Sequence, residues 1–177
     1  RPGLYVVGEL GGMGLIQNAI TQGQQAATHI AEELAGTQPE PEVADVAIIG
    51  AGPAGIGVAA TLAQQGRSYI LLEQGRFGGA VASYPRQKLV MSTKLQIPGY
   101  GSFGRKTLRK EELMDGMEAV AKHFGIQVHA DTKVTGIEGT EGAFEVVTEK
   151  GVAKARRVVL ATGRRGSPRK LGVPGGP

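Results

Sequence analysis

The hexapeptide Gly50-Ala51-Gly52-Pro53-Ala54-Gly55 constrains this chain more than any other feature. It follows an apolar run over 43–49 that only Asp45 interrupts, and it opens a segment over 54–65 that reads as a helix ended by Gly66. A continuous apolar run of that length suits a parallel strand buried on both faces, and a glycine suits the helix C-terminus. Within G-x-G-x-x-G each glycine has a task. Gly50 permits the tight turn, Gly52 lets the backbone approach a pyrophosphate, and Gly55 lets the helix pack close on the strand. The helix N-terminus adds N–H groups and the positive end of its dipole. A second strand over 69–73 ends in Glu73, 23 residues after Gly50, where a carboxylate can accept bonds from ribose hydroxyls and would repel a 2′-phosphate. Strand, glycines, helix and acid in register predict a site for FAD or NAD rather than NADP; the alternative is a bare structural turn.

Around this unit the pattern is α/β. Residues 4–7 read as a short strand, 8–14 as a glycine-rich loop, and 15–35 as a helix whose Ile16, Ala19, Ile20, Ala26, Ala27, Ile30, Ala31 and Leu34 share a face. The prolines of 37–42 mark an extended linker. Residues 75–103, broken by Gly78, Gly79, Pro85, Pro98, Gly99 and Gly101, read as mostly loop, and a helix runs from about 107 to 124 with Met114 and Met117 in the core. Short strands are expected at 126–130, 133–138, 144–148, 152–154 and 158–161, separated by glycine turns. If 4–7 is a parallel strand, its helix returns it to the start of 43–49 by a right-handed crossover, so the amino-terminal unit should join the sheet in cis beside the fingerprint strand.

The absence of cysteine from all 177 residues removes disulfides, thiolate metal sites and redox dithiols. Any electrons that pass must use a bound cofactor. His29, His123 and His129 form no metal motif and read as structural or surface residues, so no metal is expected. Residues 150–170 hold eight Lys and Arg residues and no acid, while the net charge is only +4. A solvated face is the plain reading of that segment; nucleic acid is the weaker one, because no aromatic residues interleave for base stacking. No leader pattern and no apolar run of membrane length is seen, so a cytoplasmic protein without a membrane partner is expected, taken as a processed or excised piece.

Asp45-Val46-Ala47-Ile48-Ile49-Gly50-Ala51-Gly52-Pro53-Ala54-Gly55 resembles the FAD fingerprint of the pyridine nucleotide–disulfide oxidoreductases, in particular their thioredoxin reductase-like branch. Two further motifs of that family have counterparts. Arg157-Val158-Val159-Leu160-Ala161-Thr162-Gly163 resembles the strand and Ala-Thr-Gly segment that follow a small β-meander. Leu4-Tyr5-Val6-Val7-Gly8-Glu9 resembles the late strand-Gly-Asp motif, with Glu9 one carbon longer than the usual Asp. Asn18-Ala19 is similar to the family's Gln-Ala segment near the flavin ring, and Ser83-Tyr84-Pro85 with Met91-Ser92-Thr93 resembles a loop of bacillithiol disulfide reductase-like relatives. The resemblance implies a Rossmann-like FAD-binding domain with a parallel sheet and a small β-meander. It implies a cofactor-binding set of Gly8, Glu9, Asn18, Ala19, Gly50, Gly52, Pro53, Ala54, Gly55, Glu73, Gln74, Gly78, Gly79, Val134, Ala161, Thr162 and Gly163. Tyr84 is a candidate for stacking on the flavin.

The element order is permuted relative to that family, because the strand-Gly-acid unit comes first. The division that follows is 1–36 as a strand–helix unit completing the FAD domain, 37–42 as linker, and 43–177 as the Rossmann-like domain. Leu171-Gly172-Val173-Pro174-Gly175 resembles the point at which the family's NAD(P)H domain starts. Only one dinucleotide fingerprint is present, so the NAD(P)H donor is expected on a missing domain or a partner chain; a homodimer stays open. The function implied is the FAD-binding domain of an NAD(P)H-dependent flavin oxidoreductase that works through the isoalloxazine without a local disulfide and is incomplete for turnover alone. The alternatives are a non-catalytic FAD or NAD module and, more weakly, nucleic-acid or partner binding through 150–170.

Overall fold

Val46 and Ile48 of the fingerprint strand face one apolar cluster, and Ala47 and Ile49 face another, so this strand is buried on both sides as its apolar run demands. The computed structural model describes residues 1–11 and 15–163. In chain order these form β1 (Leu4–Val6), α1 (Ile16–Glu33), β2 (Val43–Ile49), α2 (Pro53–Gln64), β3 (Tyr69–Leu72), β4 (Leu89–Met91), β5 (Leu95–Ile97), β6 (Gly101–Phe103) and β7 (Thr107–Arg109). Then come α3 (Lys110–His123), β8 (Val128–His129), β9 (Val134–Thr140), β10 (Ala143–Thr148) and β11 (Gly151–Leu160). Strands β8, β3, β2 and β11 pair in parallel in that order, and β1 adds to β11 in parallel. The antiparallel meander β9–β10–β11 shares β11 with this sheet. Helices α1, α2 and α3 contribute to the first core, and Phe144 and Val146 of the meander to the second. The fold is the Rossmann-like α/β arrangement with a β-meander in place of a second helical layer.

Several expectations need correction. The amino-terminal strand lies not beside β2 but one position further out, because β11 stands between them. The segments 152–154 and 158–161 are one ten-residue strand. A single long strand can serve two partners on the same edge: β10 pairs with residues up to Ala155, and β1 takes over from Val158 to Leu160. The stretch 75–103 is mostly loop as expected, but it also carries three short strands, β4 pairing with β7 and β5 with β6 in two small ribbons. Three-residue strands are too short to show an alternation. The third helix begins at Lys110 because 107–109 belongs to β7, and the strand expected over 126–130 is reduced to Val128–His129.

Helices α1 and α2 touch backbone to backbone. A Cβ on Gly57 would lie 2.7 Å from the carbonyl oxygen of Ile20, and one on Gly23 would strike the carbonyl of Ala54. This close crossing sets the start of α1 against the first turn of α2.

The basic segment is largely committed to the fold where it is described. Arg156 reaches Asp45 (3.5 Å), Glu40 (3.7 Å) and the carbonyl of Gln38 (2.6 Å). Arg157 bridges Glu33 (3.0 Å) and Glu141 (2.8 Å). Arg164, Arg165, Arg169, Lys170 and the run 171–175 lie outside the described residues, as do Gly12, Met13 and Gly14 of the glycine-rich loop. His29, at 3.1 Å from Glu33, has a structural contact.

Glu33 joins β1, α1 and β11 through one carboxylate. The Tyr5 hydroxyl donates to it at 2.6 Å, and Tyr5 together with Arg157 holds the carboxyl below the usual carboxylate range against the opposing effect of burial. Burial, with the adjacent Glu33, pushes the Tyr5 hydroxyl up to about 12, so it stays a donor at neutral pH. A depressed folded-state pKa stabilises the fold above the ordinary Glu value, and that stabilisation is lost as pH falls through the folded value. Glu33→Gln should therefore cost roughly 1 kcal/mol at pH 7, and the deficit should shrink as pH falls below about 4.3. Denaturant melts of both proteins from pH 7 to pH 3 check this; a deficit that does not change with pH would contradict it.

Candidate functional site

The carboxyl ends of β1, β2, β3 and β11 converge on one cavity of about 1,100 Å³, somewhat above the ~300–1,000 Å³ usual for small-molecule sites. Crevices at the carboxyl ends of parallel strands are where doubly wound sheets bind ligands.

The floor is the glycine turn. Gly50, at φ +109, donates its N–H to Leu72 (2.8 Å), and a Cβ there would sit 2.5 Å from the carbonyl oxygen of Ala161. Gly52 caps α2 with extended backbone, and a Cβ there would meet nothing within 4 Å. Pro53 occupies the first turn, where a missing N–H costs nothing, and no side chain caps the helix start. Gly55 does not line the cavity: it sits underneath, against the carbonyl of Gly50, and thereby sets how closely helix and strand pack. Gly78 is also outside the lining. Its N–H donates to the carbonyl of Ala51 at 2.9 Å, and Gly79, at φ +53, lies against the Gly52 backbone and does line the cavity.

Glu73 sits just past the end of β3 and is only 7 % exposed. One carboxylate oxygen accepts the N–H of Ala51 at 2.8 Å and the other the N–H of Gly75 at 2.9 Å. This carboxylate thus braces the glycine turn from the neighbouring strand. A carboxylate has about four acceptor positions, so two backbone donors leave room for hydroxyls from the cavity. Gln74 and Val134 line the same end.

The far wall comes from distant sequence. Ala161 donates its N–H to Ile49 at 2.8 Å, which carries Ala161, Thr162 and Gly163 to the cavity edge. Val7 donates to Leu160 at 3.0 Å, and Gly8, at φ +79, then turns the chain so that Gly8 and Glu9 enter the lining. Gly8 donates to Gln22 at 2.8 Å, and a Cβ on it would stand 3.0 Å from that of Ala54. Ala19 lines the cavity, whereas its neighbour Asn18 does not.

The sequence reading missed Arg76, Asp131 and Thr132, which also line the cavity. Asp131 and Thr132 follow β8 and tie back through N–H donation to Gly75 (2.9 Å) and Glu73 (2.8 Å). A short polar turn after a strand at the same sheet end was the available signal. Tyr84 lines the cavity, and Lys88 Nζ lies 4.0 Å from its ring centroid. Among the described residues no group of three or more His, Asp or Glu could hold a metal ion, and no helix is long and apolar enough to cross a membrane.

The chain is similar to known proteins over about three-quarters of its length. The chain is 30 % identical over 138 residues to a ferredoxin–NADP reductase of Leuconostoc mesenteroides, covering 76 % of this chain and 38 % of that protein. It is 31 % identical over 131 residues to a thioredoxin reductase of Treponema pallidum, covering 74 % and 38 %. The solved bacillithiol disulfide reductase of Bacillus cereus superposes with a TM-score of 0.61 at 27 % identity, covering 75 % of this chain and 43 % of that one. The chain thus spans about two-fifths of the length of the relatives it matches. The family described as pyridine nucleotide-disulphide oxidoreductase matches residues 47–177, three-quarters of the chain, and with the glycine turn, Glu73 and the Ala161–Gly163 edge gathered on one cavity, this chain belongs to that family.

Proposed function

We propose that this chain is the FAD-holding domain of an NAD(P)H-dependent flavin oxidoreductase, with residues 1–36 supplying one wall of the site. A single observation carries the reading: Gly8, Glu9 and Ala19, the glycine turn with Gly50, Gly52 and Pro53, and residues 161–163, far apart in sequence, meet on one cavity that has Glu73 in its lining.

The residues fit the group on geometry. The open space at Gly52, directly before an uncapped helix start, is a cradle that a side chain would fill, and it suits a pyrophosphate held by backbone N–H groups. Glu73 is poised to accept ribose hydroxyls and, as an anion, disfavours a 2′-phosphate. Bound FAD would supply the hydride-accepting ring, while the protein supplies position and electrostatics. The first turn of α2 orients the diphosphate, Gly8 and Gly163 keep the far wall low, and Tyr84 with Val81 shields the interior from water. No cysteine is present, so the thiol chemistry in the family's name cannot run on these residues. Nicotinamide would arrive from another domain or chain. The internal ion pairs of Arg156 and Arg157 withdraw these two residues from any binding of nucleic acid through 150–170.

The FAD-loaded chain mixed anaerobically with NADPH should keep its flavin absorbance for minutes, at least roughly a thousandfold slower than the ~10 s⁻¹ turnover usual for enzymes. Bleaching within a second would place a competent donor site on this chain and contradict the division of labour.

A further inference from the structure

Between Gln74 and Lys110 the chain carries eight Lys and Arg residues and no Asp or Glu. Within this stretch β4 and β7 form a ribbon in which Leu89 pairs with Arg109, Val90 with Leu108 and Met91 with Thr107. Val90 and Leu108 are buried, whereas Leu89 and Met91 are 65 % and 77 % exposed. Side chains alternate along strands, so Leu89, Met91, Thr107 and Arg109 share the outer face.

The charges around this face are not equivalent. At the Leu89 end a shallow hollow of about 520 Å³ sets Arg86, Arg105 and Arg109 against Glu111, Glu112 and Asp115, with Arg105 and Glu112 at 2.6 Å. Lys88 covers Tyr84, and Lys110 donates to the carbonyls of Ala82 (2.7 Å) and Tyr84 (2.8 Å). Lys94 and Lys106 are exposed near the Met91 end, where the N–H of Ser92 donates to the carbonyl of Lys106 at 3.1 Å. The ribbon adjoins the cavity through Lys88 on Tyr84, and the loop after β4 through a Thr93–Gln17 hydrogen bond to the start of α1.

We propose that the outer face of the β4–β7 ribbon docks an acidic protein surface, with Leu89 and Met91 as its apolar centre and Lys94, Lys106 and Arg109 on its rim. An apolar centre inside a charged rim is the anatomy of a protein interface. A single-stranded nucleic acid would call for aromatic platforms, and the outer face has none. Lys94 and Lys106, exposed and outside the acid-lined hollow, give the charge that an acidic partner complements. Service of this face as the seat of an electron acceptor rests on the FAD reading; the docking itself does not.

The test measures binding of the FAD-loaded chain at low salt to two small carrier proteins of opposite charge, an acidic ferredoxin and a basic cytochrome c, and to a single-stranded RNA oligonucleotide. The ferredoxin should bind, cytochrome c should not, and added salt should weaken the complex. Lys94→Glu with Lys106→Glu should weaken ferredoxin binding at least roughly tenfold, and Met91→Ser roughly fivefold. FAD content measured on the same samples should not change. Absence of ferredoxin binding, indifference to these variants, preference for the oligonucleotide, or self-association abolished by Met91→Ser would each overturn the proposal. A chain that docks ferredoxin through the ribbon but holds no FAD would sink the FAD reading and leave the docking face standing.

Discussion

Gly52→Val should leave the chain folded and weaken FAD binding by at least roughly a hundredfold, about 2.7 kcal/mol. At φ −81 and ψ −173 the Gly52 backbone is open to any L-residue, and a Cβ there meets nothing within 4 Å. The added side chain would occupy the space in which the diphosphate must lie. Stability should fall by only about 1 kcal/mol, because valine is a poor helix cap. Gly50→Val gives the contrast. Gly50 sits at φ +109, and its Cβ would lie 2.5 Å from the carbonyl oxygen of Ala161. A β-branched residue in that conformation, pressed against backbone, should cost on the order of 4 kcal/mol or more. Thermal melts and flavin titrations of the two variants separate the roles: one loses ligand with little loss of fold, the other loses the fold. A Gly52→Val protein with unchanged FAD affinity would place the ligand elsewhere.

The second large effect is expected at Glu73. Its two carboxylate oxygens accept the N–H groups of Ala51 and Gly75 in a nearly closed site. Glu73→Gln keeps the shape but turns one acceptor into a donor, so in either amide orientation one backbone N–H faces another N–H. A buried donor left without a partner costs about 1–3 kcal/mol, which for a domain of this size lowers the melting temperature by roughly 5 °C. FAD affinity should fall as well, by roughly tenfold, through the loss of an acceptor for ribose and the loosening of the glycine turn. Differential scanning fluorimetry with and without FAD reads both effects. An unchanged melting temperature would mean that the brace contributes nothing.

The glycine turn, the parallel pairing of β2 with β3 and the arrival of Ala161–Gly163 at the same end were legible because each rests on local chemistry. Apolar runs specify buried strands, and glycine specifies close backbone approach. The place of β1 was not legible to one strand, since nothing local reports that β11 is long enough to offer one edge to both β10 and β1. The ribbons β4–β7 and β5–β6 escaped for another reason: three residues do not make a period, and Gly99, Gly101 and Gly104 resemble a loop. Arg76, Asp131 and Thr132 reach the cavity through tertiary turns that no spacing rule encodes. Gly55 and Gly78 were singled out correctly as special backbone positions, yet the structure places them behind the cavity wall rather than in it.

Equilibrium dialysis of the purified chain against FAD, with FMN in a parallel cell, tests the central claim most directly. The geometry calls for one FAD per chain and for FMN at least roughly a hundredfold weaker, since FMN lacks the adenosine half that Glu73 and the glycine turn are placed to hold. Failure to bind FAD, or equal affinity for FMN, would contradict the account.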